Sequence, residues 1–209
     1  MTLGGMKMAI YVAIKYSQQR KGVSPNGLSQ TPIFDYQLQK NSLIPLVAKS
    51  LALNMLHNFA KETFANPKGH EDDLLAICCV DKAMIGWHGE RAISVFRERS
   101  GGQGFLAANY FSELIASAHA AITAEGDNKV LMVKVAKDLL SIHMKNPDYF
   151  YSGEFIKLTD KKQLYCFKTL TTVFLMLERF KLDRLINKMA ALKGNGKSNY
   201  EILMYETSD

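Results

Sequence analysis

The sequence predicts an all-α chain, a bundle of long helices followed by the start of a second helical domain. Three observations predict it. Apolar residues recur at intervals of three and four over most of the chain. The breaks between those stretches are short and rich in Gly, Asn and Pro. No alternating run is long enough for a convincing strand. The composition, 47% hydrophobic and 22% charged over 209 residues, is that of an ordinary folded protein. Its length suits one generous domain, or one domain and part of another.

The first helical stretch, residues 6–21, puts Met6, Ile10, Ala13 and Ile14 on one face. Residues 22–32 read as a loop by composition. From Asp35 a second helix runs to about Ala65 with Leu43, Leu46, Val47, Leu51 and Met55 as its apolar stripe. Pro45 lies inside that stripe and removes a backbone donor, so it should kink the helix or mark a junction. A third helix should start after His70, with Glu71, Asp72 and Asp73 in its first turn where the dipole favours negative charge. Leu74, Ile77, Cys78, Met84, Ile85, Ala92 and Val95 keep the period as far as Arg99. Roughly 28 residues at 1.5 Å each give about 40 Å, a length that implies a bundle.

A glycine-rich break at residues 100–105 precedes a shorter helix over 109–119. After a turn at residues 125–128, Asn128 is the expected N-cap of a helix carrying Leu131, Val135, Leu139 and Ile142. Asn146-Pro147-Asp148 closes it, and a tyrosine- and phenylalanine-rich connection covers 149–155. The final helix, roughly 160–193, carries Leu164, Phe167, Leu170, Val173, Leu177 and Phe180 until Gly194-Asn195-Gly196 stops it. The expected domains are therefore 1–148 and 149–209.

Charge and cysteine content narrow the function classes. There are 26 Lys plus Arg against 20 Asp plus Glu, a net +6 spread along the chain. That balance reads as solvated helix faces, or as an attraction for an anionic ligand such as a nucleotide or coenzyme A. No P-loop, zinc spacing or aromatic-interleaved basic stripe is present, so nucleic-acid binding has no specific support. The five histidines (57, 70, 88, 119 and 143) show no mutual ligand spacing, and no metal site is expected. No apolar run approaches the ~18 to 20 residues of a membrane span. The first residues do not have the pattern of a secretory signal. Three cysteines, two of them adjacent, point to a reducing compartment.

Two turns could carry chemistry. In Gly101-Gly102-Gln103-Gly104-Phe105, three glycines are more than a helix cap requires. The turn is either a tight interhelical connection or a place where a ligand approaches the backbone closely. In Glu125-Gly126-Asp127-Asn128, caps and dipole partners account for Asp127 and Asn128. Glu125 lies further out, between Ala124 and Gly126. A carboxylate on such a turn can project into a cleft as a general base, although a surface glutamate is the ordinary outcome.

The order of these features resembles the C-terminal helical region of the acyl-CoA oxidases, relatives of the acyl-CoA dehydrogenases. The resemblance is carried by residues 13–21, by Phe34-Asp35-Tyr36-Gln37-Leu38-Gln39 with Leu43-Ile44-Pro45-Leu46, by Arg97-Glu98-Arg99-Ser100-Gly101-Gly102-Gln103-Gly104-Phe105 with Ala108-Asn109, and by Thr123-Ala124-Glu125-Gly126-Asp127-Asn128-Lys129-Val130-Leu131 with Val135-Ala136. Residues 154–192 are more loosely similar to the start of the family's last helical domain.

The resemblance implies an FAD-dependent oxidation of fatty acyl-CoA to trans-2-enoyl-CoA, with molecular oxygen as acceptor and hydrogen peroxide as product. Glu125 would be the catalytic base. Gly101, Gly102 and Gly104 would approach the FAD of a neighbouring subunit, Arg20 would help hold its phosphates or adenosine, and Asp127 and Asn128 would belong to the cofactor side. A homodimer and a peroxisomal location follow from the same resemblance. Several positions depart from the family: Gly22-Val23 replaces Gln-Phe, Ser100 a cysteine, Gln103 a histidine, Ala124 a phenylalanine, Lys129 a threonine and Val133-Lys134 a glutamine pair. The resemblance also begins inside the helical region, without the family's preceding helical domain and β-barrel, and the chain ends without a Ser-Lys-Leu address. A piece of an acyl-CoA oxidase, inactive in isolation, is the expectation. A non-catalytic helical oligomerisation or partner-binding module is the alternative.

Overall fold

A computed structural model describes residues 1–146, 159–198 and 201–202. The chain divides into two compact units, Met1–Met132 and Val133–Asp209. The expected boundary at 148/149 and the aromatic connection at 149–155 lie outside the described residues.

The first unit contains α1 (Thr2–Gln19), β1 (Lys21–Val23), β2 (Ser29–Pro32), α2 (Gln37–Ala65), α3 (Leu74–Arg99), α4 (Phe111–Thr123) and the first turn of α5 (Asn128–Lys145). Its core is shared by α1 to α4: Leu3, Met6, Ala9 and Ala13 meet Leu43, Leu53, Ala92, Ile93, Phe96, Phe111 and Ala118. Small residues let α1 lie close to α3 and α4. A Cβ at Gly89 would lie 2.6 Å from the Thr2 methyl, and one at Gly5 would lie 3.1 Å from Leu114. At the other end of α1, the buried Gln39 amide donates to the Ser17 hydroxyl (2.7 Å) and to the Arg99 carbonyl (2.9 Å). One side chain of α2 thereby ties the C-terminal ends of α1 and α3, the ends that present Arg20 and the glycine turn.

The structure corrects several expectations. The stretch read as a loop holds an antiparallel ribbon, β1 against β2, with Lys21 opposite Pro32 and Gly22 opposite Thr31. Asn26 and Gly27 make its turn: Gly27 is left-handed (φ 80°), and the Asn26 side chain accepts from the Leu28 amide at 3.1 Å. Helix α2 runs unbroken through Pro45. Its buried positions are Gln39, Leu43, Ser50, Leu53, Ala60 and Thr63, whereas Leu51 and Met55 face outward at 64% and 72% exposure. Helix α2 has apolar residues on more than one side, so periodicity alone does not say which side is covered. Glu71, Asp72 and Asp73 precede α3 rather than forming its first turn.

The second unit contains the rest of α5, a 3-10 turn at Lys161–Tyr165 and α6 (Phe167–Gly194). Asp160 and Gln163 form a reciprocal capping box on the short turn, which is why α6 starts later than the periodicity predicts. Within α6, Met176 and Leu182 are buried while Phe167, Leu177 and Phe180 are exposed.

Candidate active site

The glycine turn is built onto the end of α3. Ser100 is fully buried, and its hydroxyl donates to the Phe96 carbonyl at 2.8 Å. A 3-10 turn, Gly101–Phe105, follows. Gly101 is left-handed (φ 54°) and packs against the Tyr16 hydroxyl. Gly104 is buried so tightly that a Cβ would run into the Arg97 carbonyl oxygen. Gly102 has neither constraint: a Cβ there would meet open space. The fold accounts for two of the three glycines and leaves Gly102 unexplained.

Arg20 follows α1, its carbonyl accepting from the Ile33 amide at 2.8 Å beyond the ribbon. The side chain is exposed and makes no ion pair among the described residues. Arg20 and the glycine turn meet at a cavity of about 640 Å³, lined by Tyr11, Lys15, Tyr16, Arg20, Gln103 and Asn109 among others. Two cations, amide groups and two aromatic rings are a donor set suited to a phosphate-bearing ligand with a flat ring system.

Glu125 sits at the far end of α4. That helix ends at Thr123, Ala124 is extended, and Glu125 adopts the left-handed conformation at φ 58°. For a non-glycine residue this costs about 1–2 kcal/mol. Gly126, also left-handed at φ 98°, completes the reversal. Asp127 rather than Asn128 caps α5: its carboxylate accepts from the Lys129 and Val130 amides at 2.9 and 3.3 Å. Asn128 is fully buried, donating to the Ala83 carbonyl at 3.3 Å. It fits because α3 has a glycine opposite, where a Cβ on Gly86 would lie 3.0 Å from the Asn128 amide nitrogen.

The Glu125 carboxylate has no hydrogen bond or ion pair to any described residue. The residue lines a cavity of about 410 Å³ with Leu3, Ile85, Ala120 and Ala124 as apolar wall. At this cavity, Asp81 and Lys82 were not singled out from the sequence, and His57 was set aside for want of ligand spacing. His57 donates to the Asp81 carboxylate at 2.8 Å, and Lys82 reaches the turn itself. A signal for them existed, because Asp81-Lys82 is a charged pair inside the long apolar stretch of α3.

The structure thus brings Arg20 to the glycine turn, and brings Glu125 to a different cavity with no lining residue in common. The glycine turn precedes α4 and Glu125 follows it. Thirteen helical residues, about 20 Å, separate the two.

Residues 2–140 match the acyl-CoA oxidase C-alpha1 domain family. The chain belongs to the acyl-CoA oxidase family. Among its curated relatives, peroxisomal acyl-coenzyme A oxidase 3 of Arabidopsis thaliana is 28% identical over 212 residues, covering 92% of this chain and 31% of the relative. Peroxisomal acyl-coenzyme A oxidase 2 of the same plant is 33% identical over 144 residues, covering 66% of this chain and 21% of the relative. The solved structure of acyl-CoA oxidase 1 from Yarrowia lipolytica superposes with a TM-score of 0.81 at 23% identity, over 99% of this chain and 35% of that one. Acyl-CoA oxidase-1 of Caenorhabditis elegans, solved with FAD and ATP, gives 0.80 at 19% identity, over 100% of this chain and 34% of that one. The all-α bundle expected from the sequence is therefore the fold of the acyl-CoA oxidase C-terminal region. The chain spans about a third of the length of these two solved structures.

Proposed function

We propose that this chain supplies the catalytic base and part of the flavin site of an FAD-dependent acyl-CoA oxidase, which converts fatty acyl-CoA and oxygen to trans-2-enoyl-CoA and hydrogen peroxide. One observation carries the reading. Glu125 is held in a strained backbone conformation, with its carboxylate unpaired, at a largely apolar cavity. Backbone strain concentrates at functional sites, and an unpaired carboxylate at the mouth of an apolar cavity supports its use as a base toward a bound thioester.

The residues at the larger cavity fit the anionic half of FAD. Lys15 and Arg20 would face its pyrophosphate, Tyr11 and Tyr16 offer rings to its flat parts, and Gly102, next to the lining residue Gln103, would leave the ligand room at the backbone. The chemistry FAD supplies when bound is acceptance of the β-hydride and its passage to oxygen, which leaves as hydrogen peroxide. Glu125, exposed at the rim of the cavity, takes the α-proton as the carbon–hydrogen bond breaks. Asp127 and Asn128 act from the cofactor side by holding the turn. The reading takes Glu125 from one chain and the glycine turn from a second, in a homodimer, and it is supported by their lying at opposite ends of α4. The peroxisomal names of the relatives support a peroxisomal location.

In the flavin-loaded protein that carries this chain, Glu125→Gln should lower peroxide formation from fatty acyl-CoA by about 10²- to 10⁴-fold while the yellow flavin colour stays. Full activity in that variant would end the assignment. One observation favours the non-catalytic module as a second reading: the outward apolar side chains of α2, Ile44, Leu51, Met55 and Phe59, suit an oligomer interface. A folded, oligomeric preparation that takes up no FAD would select it.

A further inference from the structure

We infer that Lys82 is a positioning residue that fixes the Glu125 turn, so that the carboxylate faces the 410 Å³ cavity. The inference rests on the reading of Glu125 as the base. A single ammonium group donates to three acceptors: the Ile122 carbonyl at 3.1 Å, the Gly126 carbonyl at 2.6 Å and the Asn128 side-chain oxygen at 2.7 Å. Those three bonds use every donor an ammonium has. The acceptors bracket Glu125, one lying three residues before it and the others one and three residues after it. Lys82 therefore joins the end of α4 to the start of α5 across the residue held at φ 58°.

No other side chain does this among the described residues. Asp127 bonds only forward, to the amides of Lys129 and Val130 in α5. Asn128 anchors the same turn to α3 through Ala83, the residue next to Lys82. The Ile122 carbonyl belongs to the last turn of α4, where the helix dipole favours a cation. Without Lys82, the carbonyls on both sides of Glu125 would lose their common donor, and the turn would be free to leave the left-handed conformation.

The test compares Lys82→Met and Lys82→Arg with the parent in the full flavin-loaded protein. Dodecanoyl-CoA serves as the probe substrate. Amide hydrogen exchange in the segment 122–131 should quicken about tenfold or more in Lys82→Met, while the α1–α3 core keeps its protection. The turnover number should fall about a hundredfold with KM changed less than about threefold, the split expected of a misplaced base with an intact binding site. Lys82→Arg keeps the charge, but its planar fork does not converge on three acceptors, so its exchange and turnover should fall between parent and Met. If Lys82→Met does not fold, the Arg variant decides on the same readouts. Unchanged exchange at 122–131, or quickened exchange with unchanged turnover, overturns the inference. If Glu125→Gln keeps its activity, the base assignment itself has failed, and the exchange result alone then decides whether Lys82 fixes the turn.

Discussion

A Cβ at position 104 would run into the Arg97 carbonyl oxygen, whereas one at position 102 would meet nothing. The two glycines should therefore answer differently to the same change. Gly104→Ala should lower stability by about 1–3 kcal/mol, because the obstacle is backbone at the end of α3 and cannot swing aside. Gly102→Ala should leave stability within about 1 kcal/mol of the parent, or raise it slightly by restricting the unfolded chain. Urea denaturation midpoints check both. Retention of FAD after gel filtration then separates fold from ligand, since Gly102→Ala should lose flavin faster than the parent despite its sound fold. Tight flavin in Gly102→Ala would remove that glycine from the cofactor site. Single residues were unevenly legible in the sequence. Three glycines in four positions announce a special turn, but the letters cannot say that Gly101 answers to Tyr16, Gly104 to Arg97 and Gly102 to nothing in the chain.

At the scale of elements, the contact of α2 with α3 carries a pH dependence. His88 on α3 is half-buried with Lys49 of α2 at 3.5 Å. Burial, then the nearby charges of Lys49 and Arg91, hold its imidazole below the ordinary histidine value. A folded-state pKa below the unfolded one means the unfolded chain binds the proton more readily. The stability this neutral ring contributes is present above pH ~6.5 and is lost as pH falls below that value toward the folded-state pKa. His88→Gln, which carries no charge at any pH, should lose less stability than the parent between pH 7.5 and 5.5. The measurement is the urea midpoint at each pH, and an identical loss in both proteins would remove His88 as the cause. The elements themselves were largely readable. Periods of three and four marked α1 to α6, because each helix needs at least one buried face. The ribbon was missed because strands of three and four residues are too short to show alternation. The outward face of α2 was misread because Leu51 and Met55 keep the same period as Leu43.

For the whole molecule, the decisive arrangement is the length of α4. It sets the Arg20 cavity at one end and the Glu125 cavity at the other, and on the proposed reading a complete site takes one half from each of two chains. The sequence carried both halves in its signatures, but their separation along one rigid helix could be seen only once the fold was built. The arrangement predicts complementation. Arg20→Ala should release flavin and Glu125→Gln should stop proton removal, so each homodimer is inactive alone. Mixed through unfolding and refolding at equal amounts, about half the dimers pair one variant with the other. In such a dimer one site draws Arg20 and Glu125 both from intact positions, and the second site holds both defects. Peroxide formation from dodecanoyl-CoA should then recover to about a quarter of the parent rate, since half the dimers each carry one good site of two. A site built within one chain would give every site a defect and no recovery. Gel filtration of the mixture establishes that the dimers have formed, so an inactive dimeric mixture would show that Arg20 and Glu125 do not meet across an interface.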